Sequence, residues 1–240
     1  MSLTNGRGPL SEHPEGRLCR AEDGSPAYVE PYPRRVRGIK GGVAVVDSER
    51  VLLVHRRGAP PTYAVPAEDT GGLGRAEPLA QGYVRVPWDA VDTWYEEGEE
   101  VLGHPRNPYH RVDCVPAGRH LRVEVAGTLL VDVRDTVVVY ETSLAPRLYV
   151  DRRHLLADVL VESGTTTYCP YKGTATYLSA VVGDATVPDV AFAYEDPYPD
   201  CARIAGLVSF EPAAATVTHD LPSPAAWSPA TGAAAWPTPQ

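Results

Sequence analysis

The segment Cys169-Pro170-Tyr171-Lys172-Gly173 contains one of only two lysines in a chain of 240 residues. The other lysine is Lys40, and apart from histidine every remaining cationic side chain is an arginine. Arginine stays charged under nearly all conditions, whereas a lysine that is removed from water can lose its proton and then act as a base or a nucleophile. The unusual use of lysine in this segment therefore predicts a chemical role for Lys172.

Pro170 fixes the backbone of this segment, and Gly173 permits a tight turn before the next strand, so Tyr171 and Lys172 should project from a sheet edge. In a partly dry pocket, a Lys172 whose pKa is lowered would serve as a base, a Schiff-base amine or an anion clamp. Tyr171 or Tyr177 would donate a proton to a developing oxyanion. We predict these three residues as the catalytic set. The alternative is a structural turn, in which the lysine head meets a carboxylate or carbonyl groups while its stem packs.

Residues 104–113 concentrate further polar side chains next to two prolines. One hypothesis is that His104, His110 and Arg111 bind substrate over a cleft between two parts of the protein. Another is that the segment is an extended connector whose polar groups clamp those parts together. A third reading, a metal site formed by His104, His110 and Asp113, depends on a weak spacing signal, and we predict no metal.

Three further residues, from the lysine segment and the stretch that follows it, are predicted to line the binding cleft: Cys169, Phe192 and Tyr194. Cys169 has no histidine neighbour in the sequence and precedes a proline, which favours a buried, unreactive thiol over a nucleophile. The sequence leaves the charge partner of Lys172 open. Four aspartates near the segment are candidates: Asp184, Asp189, Asp196 and Asp200.

The composition is that of a soluble globular protein, with 43% hydrophobic and 22% charged residues. A formal net charge of −9 and a pI near 5.2 argue against nucleic acid as the main partner, because duplex binding needs a clustered basic surface. The expected partner is a small molecule, and the oligomeric state stays open. The preference for Arg, Ala, Val and Pro is typical of a high-GC bacterial source.

No apolar stretch has the length that a bilayer requires, and Met1 to Leu10 lacks the apolar core of a secretion signal. These features predict a cytoplasmic protein without a membrane partner. The four cysteines include no Cys-x-x-Cys pair, so free thiols are expected in place of disulfides or a zinc site.

An internal repeat can be found between the two ends of the chain. Gly42, Val45-Val46-Asp47 and Pro61 recur as Gly127, Leu130-Val131-Asp132 and Pro146, always 85 positions later, and Tyr63 aligns with Tyr149 after a slip of one residue. A second match, Gln81-Gly82-Tyr83-Val84 with Ala205-Gly206-Leu207-Val208, has an offset of 124. The second copy therefore contains an insertion of roughly 39 residues, and this insertion carries Lys172.

Short β-branched runs bounded by turn residues predict a mostly β protein. The expected strands are 43–46, 51–55, 121–125, 129–133, 136–141, 147–150, 174–182 and 190–194. The best helix candidate is 88–96, which follows Pro87 and places Trp88, Val91 and Tyr95 on one face. The fold class is thus all-β, with two related small β-sheet repeats and one or two short helices.

The boundaries follow from the repeat and from the polar ends. We predict a flexible tail over 1–31, a first repeat over 32–100, a connector over 101–118, a second repeat over 119–220 and a disordered tail over 221–240.

With these residues in view, the chain resembles a two-copy member of the DUF427 family. The resemblance covers about residues 32–220 and depends on Cys169 to Tyr177, the stretch Phe192 to Pro197 and the connector His104 to Asp113. It implies a tent-like β-sheet fold in each copy but no established activity. A nucleotidyltransferase label is sometimes used for the family, yet the sequence contains neither paired aspartates after Gly-Ser nor a phosphate-binding glycine loop. Phe192 stands where a tryptophan is usual, and the first copy lacks the lysine segment.

Three functions are compatible with the sequence. The first is a cofactor-independent enzyme, in bacterial specialised metabolism, that acts by acid–base chemistry on a small organic molecule. The second is a non-catalytic small-molecule-binding or scaffold protein, and the third is a metal-dependent hydrolase. We expect no cofactor, because nucleotide and metal motifs are missing from the sequence.

Overall fold

The computed structural model of the protein describes residues 3–222, which form twenty β-strands and four short 3-10 helices. The strands of the first half are β1 (Arg17–Arg20), β2 (Pro26–Pro31), β3 (Val36–Lys40), β4 (Val43–Ser48), β5 (Leu52–Arg56), β6 (Thr62–Pro66), β7 (Arg75–Ala76), β8 (Tyr83–Arg85), β9 (Thr93–Glu96) and β10 (Glu99–Val101). Those of the second half are β11 (Val112–Ala117), β12 (Leu121–Val125), β13 (Thr128–Val133), β14 (Thr136–Glu141), β15 (Arg147–Tyr149), β16 (Leu160–Cys169), β17 (Gly173–Val182), β18 (Ala185–Ala193), β19 (Val208–Phe210) and β20 (Thr216–His219). The helices are Ala67–Asp69, Trp88–Ala90, Arg152–His154 and Pro199–Ile204.

The prediction of an all-β protein is confirmed, because strands dominate and the helical segments of residues 3–222 are one or two turns long. None of these helices has the length or the apolar character needed to cross a membrane. The disordered tail predicted over 221–240 lies almost entirely outside the described residues.

The first half consists of two antiparallel sheets, with strand orders β1-β2-β5-β6-β8-β7 and β10-β9-β3-β4. Alternating side chains of their strands point to a shared core, in which Val36, Leu53, Val65 and Trp94 are buried. The second half repeats this arrangement with the sheets β11-β14-β15 and β13-β12-β20, around a core that includes Leu121, Leu130 and Val150.

The two halves share the same strand register. Val36 pairs with Ser48 in the β3–β4 hairpin, and the residues 85 positions later, Leu121 and Val133, pair in the β12–β13 hairpin. Each hairpin has its register shift at the same place, after Gly38 in the first half and after Val123 in the second. The β5–β6 and β14–β15 pairs also match residue for residue at this offset.

This register extends the repeat and corrects one detail. The β2–β5 pairing of Ala27 with Arg56 recurs as the β11–β14 pairing of Val112 with Glu141. Because Ala64 occupies the register position of Tyr149, the one-residue slip predicted at Tyr63 is absent.

The insertion of the second half forms most of a separate four-stranded sheet, β16-β17-β18-β19. Val65 pairs with Val84 in the first half, while the corresponding Val150 pairs with Val208, and the longer connection in the second half holds the extra strands. A second hydrophobic cluster, with Tyr149, Phe192 and Ile204 among its members, joins the insertion to the β11-β14-β15 sheet.

Three predictions of local structure were wrong. Residues of the expected N-terminal tail form β1 and β2, and β2 is mostly buried because Tyr28 and Val29 pack into the first half. The expected connector ends early, because residues 112–117 form β11 and pair along the whole of β14. The expected helix over 88–96 is one 3-10 turn followed by β9, since Trp94 and Glu96 alternate inward as in a strand and Glu96 pairs with Val36.

Candidate functional site

A cavity of about 280 Å³ lies where the insertion meets the β11-β14-β15 sheet of the second half. Both strands of the β14–β15 hairpin contribute to its wall, and so do the loop between them, the turn between β16 and β17, and the end of β18. Its lining combines charged, aromatic and aliphatic side chains: Val139, Glu141, Leu144, Ala145, Arg147, Tyr149, Lys172, Phe192 and Tyr194. A cavity with this mixture is typical of a small-molecule site.

Lys172 reaches this cavity from the tight turn that the sequence predicts. The backbone N–H of Lys172 donates to the carbonyl of Cys169 at 3.3 Å, and its own carbonyl accepts from the N–H of Tyr198 at 3.1 Å. Gly173 follows with a φ of +99°, a conformation that L side chains rarely adopt. The turn therefore holds Lys172 in one place, with only 8% of the residue exposed.

The ammonium group of Lys172 forms an ion pair with Glu141, the last residue of β14. The other oxygen of this carboxylate, Oε1, lies 2.9 Å from Nε2 of His110. The Glu141 side chain is only 9% exposed, so its charge depends on these two partners. A continuous chain of polar groups thus runs from Lys172 through Glu141 to His110.

His110 extends this chain of polar groups from the cavity to a second pocket, an open cleft. Its ring stacks on Tyr171 with a centroid distance of 3.9 Å and an interplanar angle of 16°. Both rings line an open cleft of about 800 Å³ to which Glu99 and Glu100 of the first half also contribute. The hydroxyl of Tyr171 accepts a hydrogen bond from the backbone N–H of Asn107 at 2.8 Å, which fixes the connector against the insertion.

Two buried tyrosines of the cavity have no hydrogen-bond partner for their hydroxyl groups within residues 3–222. These are Tyr149, which is 1% exposed, and Tyr194, which is 5% exposed. Burial raises the pKa of both hydroxyls above the usual value, so both stay protonated donors at neutral pH. The Tyr194 ring also lies near the ammonium of Lys172, at 5.8 Å from its centroid.

Arg147 contributes the other cation of the lining. Its guanidinium lies 5.1 Å from the centroid of the Phe192 ring. Nη1 donates to the carbonyl of Phe210 at 3.2 Å and lies 3.3 Å from an oxygen of Glu211. A guanidinium has five N–H donors on three nitrogens, so Nε and Nη2 remain for a ligand.

Cys114, Cys169 and Cys201 pack in the hydrophobic cluster beneath the turn. All four cysteines of the protein are free thiols. Cys201 is fully buried and donates to the carbonyl of Tyr171 at a sulfur–oxygen distance of 3.6 Å. Burial raises the pKa of Cys201 to about 12 and also raises the pKa of Cys114. Cys169 is half-buried and packs in the same cluster, outside the cavity lining. These positions make the thiols packing groups of the turn.

Other predicted site residues lie outside the cavity lining. Tyr177 packs on Phe192 with a ring distance of 5.6 Å, and its hydroxyl lies 3.4 Å from that of Thr167. His104 places Nδ1 at 2.7 Å from the carbonyl of Pro105. Arg111 is exposed and pairs with Asp113 at the cleft.

The metal alternative gains no support from the geometry. Among residues 3–222 no three histidine, cysteine or acidic side chains are grouped in a way that would hold a metal ion. His110 is instead bound to Glu141, and Asp113 is paired with Arg111.

Sequence reasoning missed Glu141 as the partner of Lys172. The candidates that the sequence offered were four aspartates of the insertion, but the partner is 31 positions away on another sheet. Arg147 and Tyr149 were also missed as site residues. The sequence contains one signal for them. Thr62 and Ala64 of the first half occupy the register positions of Arg147 and Tyr149, so the arginine and the tyrosine occur only in the half that carries the insertion.

The first half has no equivalent of this site. Arg56 occupies the position of Glu141, and its Nη2 binds both oxygens of the fully buried Glu77 carboxylate at 2.5 and 2.7 Å. The small Ala64 replaces Tyr149, and there is no counterpart of the inserted strands. One Lys172-type site per chain is therefore present in the described residues.

Comparison with known proteins gives a match to the second half of the chain. No curated protein matches the sequence significantly. A family match begins within β11 and ends just after β20, so it includes the insertion and every residue of the cavity lining. Residues 113–220 match the family described as a domain of unknown function, DUF427, and the second half of this chain is thus similar to that family.

Proposed function

We propose that the second half of this protein is a cofactor-independent enzyme that acts by acid–base chemistry on a small organic molecule held in the cavity. The observation that carries the proposal is the polar chain between the two spaces: Lys172 and Glu141 line the cavity, and His110, bound to Glu141, lines the open cleft. Buried ionisable groups that converge on a pocket are typical of catalytic sites.

The roles follow from the contacts. The Lys172 ammonium donates a proton to the bound molecule where negative charge develops, and Tyr194 donates a hydrogen bond to the same region. Glu141 and His110 then supply the replacement proton from the cleft, because each is within hydrogen-bond reach of the next group. In the reverse direction, the same path accepts a proton from the substrate.

The proposal extends to the rest of the chain. We regard the first half as a diverged copy of the DUF427-like unit, because its strand register matches that of the second half throughout. Its role is to form one wall of the cleft. A bacterial source, a cytoplasmic location and a place in specialised metabolism are parts of this proposal.

The test is proton exchange in deuterated water. The wild-type protein is incubated with a panel of small carbonyl and carboxyl compounds, and NMR follows deuterium incorporation and product formation. We expect Lys172→Met to abolish the exchange found with wild type, while Lys40→Met, which replaces the only other lysine, keeps it. A folded Lys172→Met protein with wild-type exchange would contradict the proposal.

One observation favours the alternative of a non-catalytic binding protein. Both oxygens of Glu141 are engaged, and the pair with Lys172 is already complete without a ligand. If binding is the function, NMR will detect ligands in the cavity, but neither deuterium incorporation nor product will appear after long incubation.

A further inference from the structure

We propose that the ligand of the cavity is a small organic carboxylate with an apolar, preferably aromatic, body. This inference deepens the proposed function, because it concerns the same cavity, but its anchors do not include Lys172, Glu141 or His110. The anchors are the Arg147 guanidinium and the hydroxyl groups of Tyr149 and Tyr194.

The first argument is that the cavity contains donors in excess. The hydroxyl groups of Tyr149 and Tyr194 form no hydrogen bond with protein groups among the described residues, and neither do Nε and Nη2 of Arg147. A ligand that supplies acceptor oxygens can bind these donors without displacing a protein partner. A carboxylate offers two such oxygens and carries no donor of its own.

The second argument is charge. The carboxylate of Glu141 is compensated by Lys172, and both of its oxygens are occupied, so this pair leaves the cavity close to neutral. Arg147 is the second cation of the lining, and its ion-pair partner Glu211, 3.3 Å from Nη1, does not line the cavity. Arginine binds carboxylates through two parallel N–H bonds, which Nε and Nη2 can form.

The third argument is size and shape. A volume of about 280 Å³ holds roughly nine non-hydrogen groups at about 30 Å³ each, the share of one water. The ring of Phe192 and the side chains of Val139 and Leu144 supply an apolar wall on which a ring can pack. Arg147 lies over that Phe192 ring, so a carboxylate on Arg147 places the attached ring against this wall.

The probes are benzoate, its neutral analogue benzamide and the cation benzylamine, and titration calorimetry measures their affinities. We expect benzoate to bind about tenfold or more tightly than either analogue, since charge-assisted hydrogen bonds are the strong ones. Contacts in NMR spectra between the probe and the Phe192 ring would locate it in the cavity. Equal affinities, no benzoate binding at millimolar concentration, or contacts elsewhere would overturn the inference.

The variants separate the anchors. Arg147→Gln should remove the preference for benzoate over benzamide, and Tyr149→Phe with Tyr194→Phe should weaken benzoate severalfold. The control Arg134→Gln removes an exposed arginine outside the cavity lining and should change neither affinity. Because Arg147 also binds the Phe210 carbonyl, Arg147→Lys serves as a second variant: it keeps the charge and should keep part of the preference. A preference that survives in Arg147→Gln would overturn the inference.

The outcome is independent of catalysis. Benzoate preference without any proton exchange would support the ligand class and remove the proposed enzyme. Proton exchange that depends on Lys172 but acts on neutral compounds, with no carboxylate preference, would do the reverse.

Discussion

At the scale of single residues, the Lys172–Glu141 pair places two opposite charges in a site that water hardly reaches. Their side chains are 10% and 9% exposed. The attraction between the two charges stabilises the folded state, while their loss of hydration destabilises it. The two contributions to the free energy of folding largely cancel. Removing only one partner is different, because the remaining charge stays buried without compensation.

Lys172→Met should therefore lower the free energy of unfolding by about 3–5 kcal/mol, because Glu141 would retain only His110. Urea unfolding followed by circular dichroism measures the change. The matched control is Lys40→Met, since Lys40 is exposed at the end of β3 and should change stability by less than about 0.5 kcal/mol. Adding Glu141→Gln to Lys172→Met should restore part of the loss. Equal stability of the two lysine variants would contradict a buried pair.

Sequence could single out Lys172 but not its partner. The rarity of lysine and the flanking proline and glycine are local signals, and they predicted the residue and its turn. The Glu141 carboxylate and the Tyr149 hydroxyl come from a hairpin on another sheet, and only tertiary packing brings them to the lysine. Tyr177, which we predicted as a proton donor, lies outside the cavity lining, and its hydroxyl is directed to Thr167.

At the scale of elements, the turn between β16 and β17 determines where Lys172 points. Cys169 and Gly173 are the last paired residues of this hairpin, and Gly173 has a φ of +99°. A Cβ at Gly173 would lie 3.4 Å from the Asp196 carbonyl oxygen, which is an ordinary contact. The requirement for glycine therefore comes from the backbone conformation.

Gly173→Ala should destabilise the protein by about 1–2 kcal/mol, which is the cost of a left-handed conformation in a residue with a Cβ. Thermal and urea unfolding measure this cost. Gly118→Ala is the control: Gly118 is exposed, a Cβ added there would have no atom within 4 Å, and its φ is not positive. A Gly173→Ala protein as stable as Gly118→Ala would mean that the turn has another conformation.

The strands β12 and β14 of the second half were easier to predict than the first and last strands of the first half. The bounds of β12 and β14 agree with the expected 121–125 and 136–141, because β-branched runs there are bounded by Ala126-Gly127 and similar turns. β1 and β2 follow a glycine-rich start, and the pairing of β2 with β5 depends on residues about 25 positions away. The segment 88–96 has helical spacing, but pairing of β9 with β3 overrides it.

At the scale of the whole molecule, buried tyrosines are distributed over both halves. Tyr32 and Tyr63 share the buried carboxylate of Glu96, and Tyr149 and Tyr194 line the cavity. Burial raises the pKa of all four hydroxyls above the usual value near 10. Burial likewise raises the pKa of Cys201 to about 12.

Stability should therefore fall at alkaline pH. The folded state keeps the tyrosine protons to higher pH than the unfolded state does, so above pH 10 the unfolded state binds fewer protons and becomes more favourable relative to the folded state. The stabilising contribution is complete below about pH 9 and decreases by roughly 1.4 kcal/mol per pH unit for each group above its unfolded pKa.

Urea unfolding at several values between pH 8 and pH 11 measures this dependence. Tyr149→Phe is the matched variant, because it removes one titrating group whose hydroxyl has no partner within residues 3–222. Its stability should decline less steeply than that of the wild type. A flat profile for the wild type would contradict the burial of these tyrosines.

The common register of the two halves has a consequence for engineering. Since Val65–Val84 and Val150–Val208 are equivalent pairs, the first half already presents the two attachment points that the inserted strands use. Transplanting residues 151–207 between them, together with Arg56→Glu, Thr62→Arg and Ala64→Tyr, would recreate the pocket chemistry on a second platform. The second half carries the inserted strands at this position, and the first half has the same position without them.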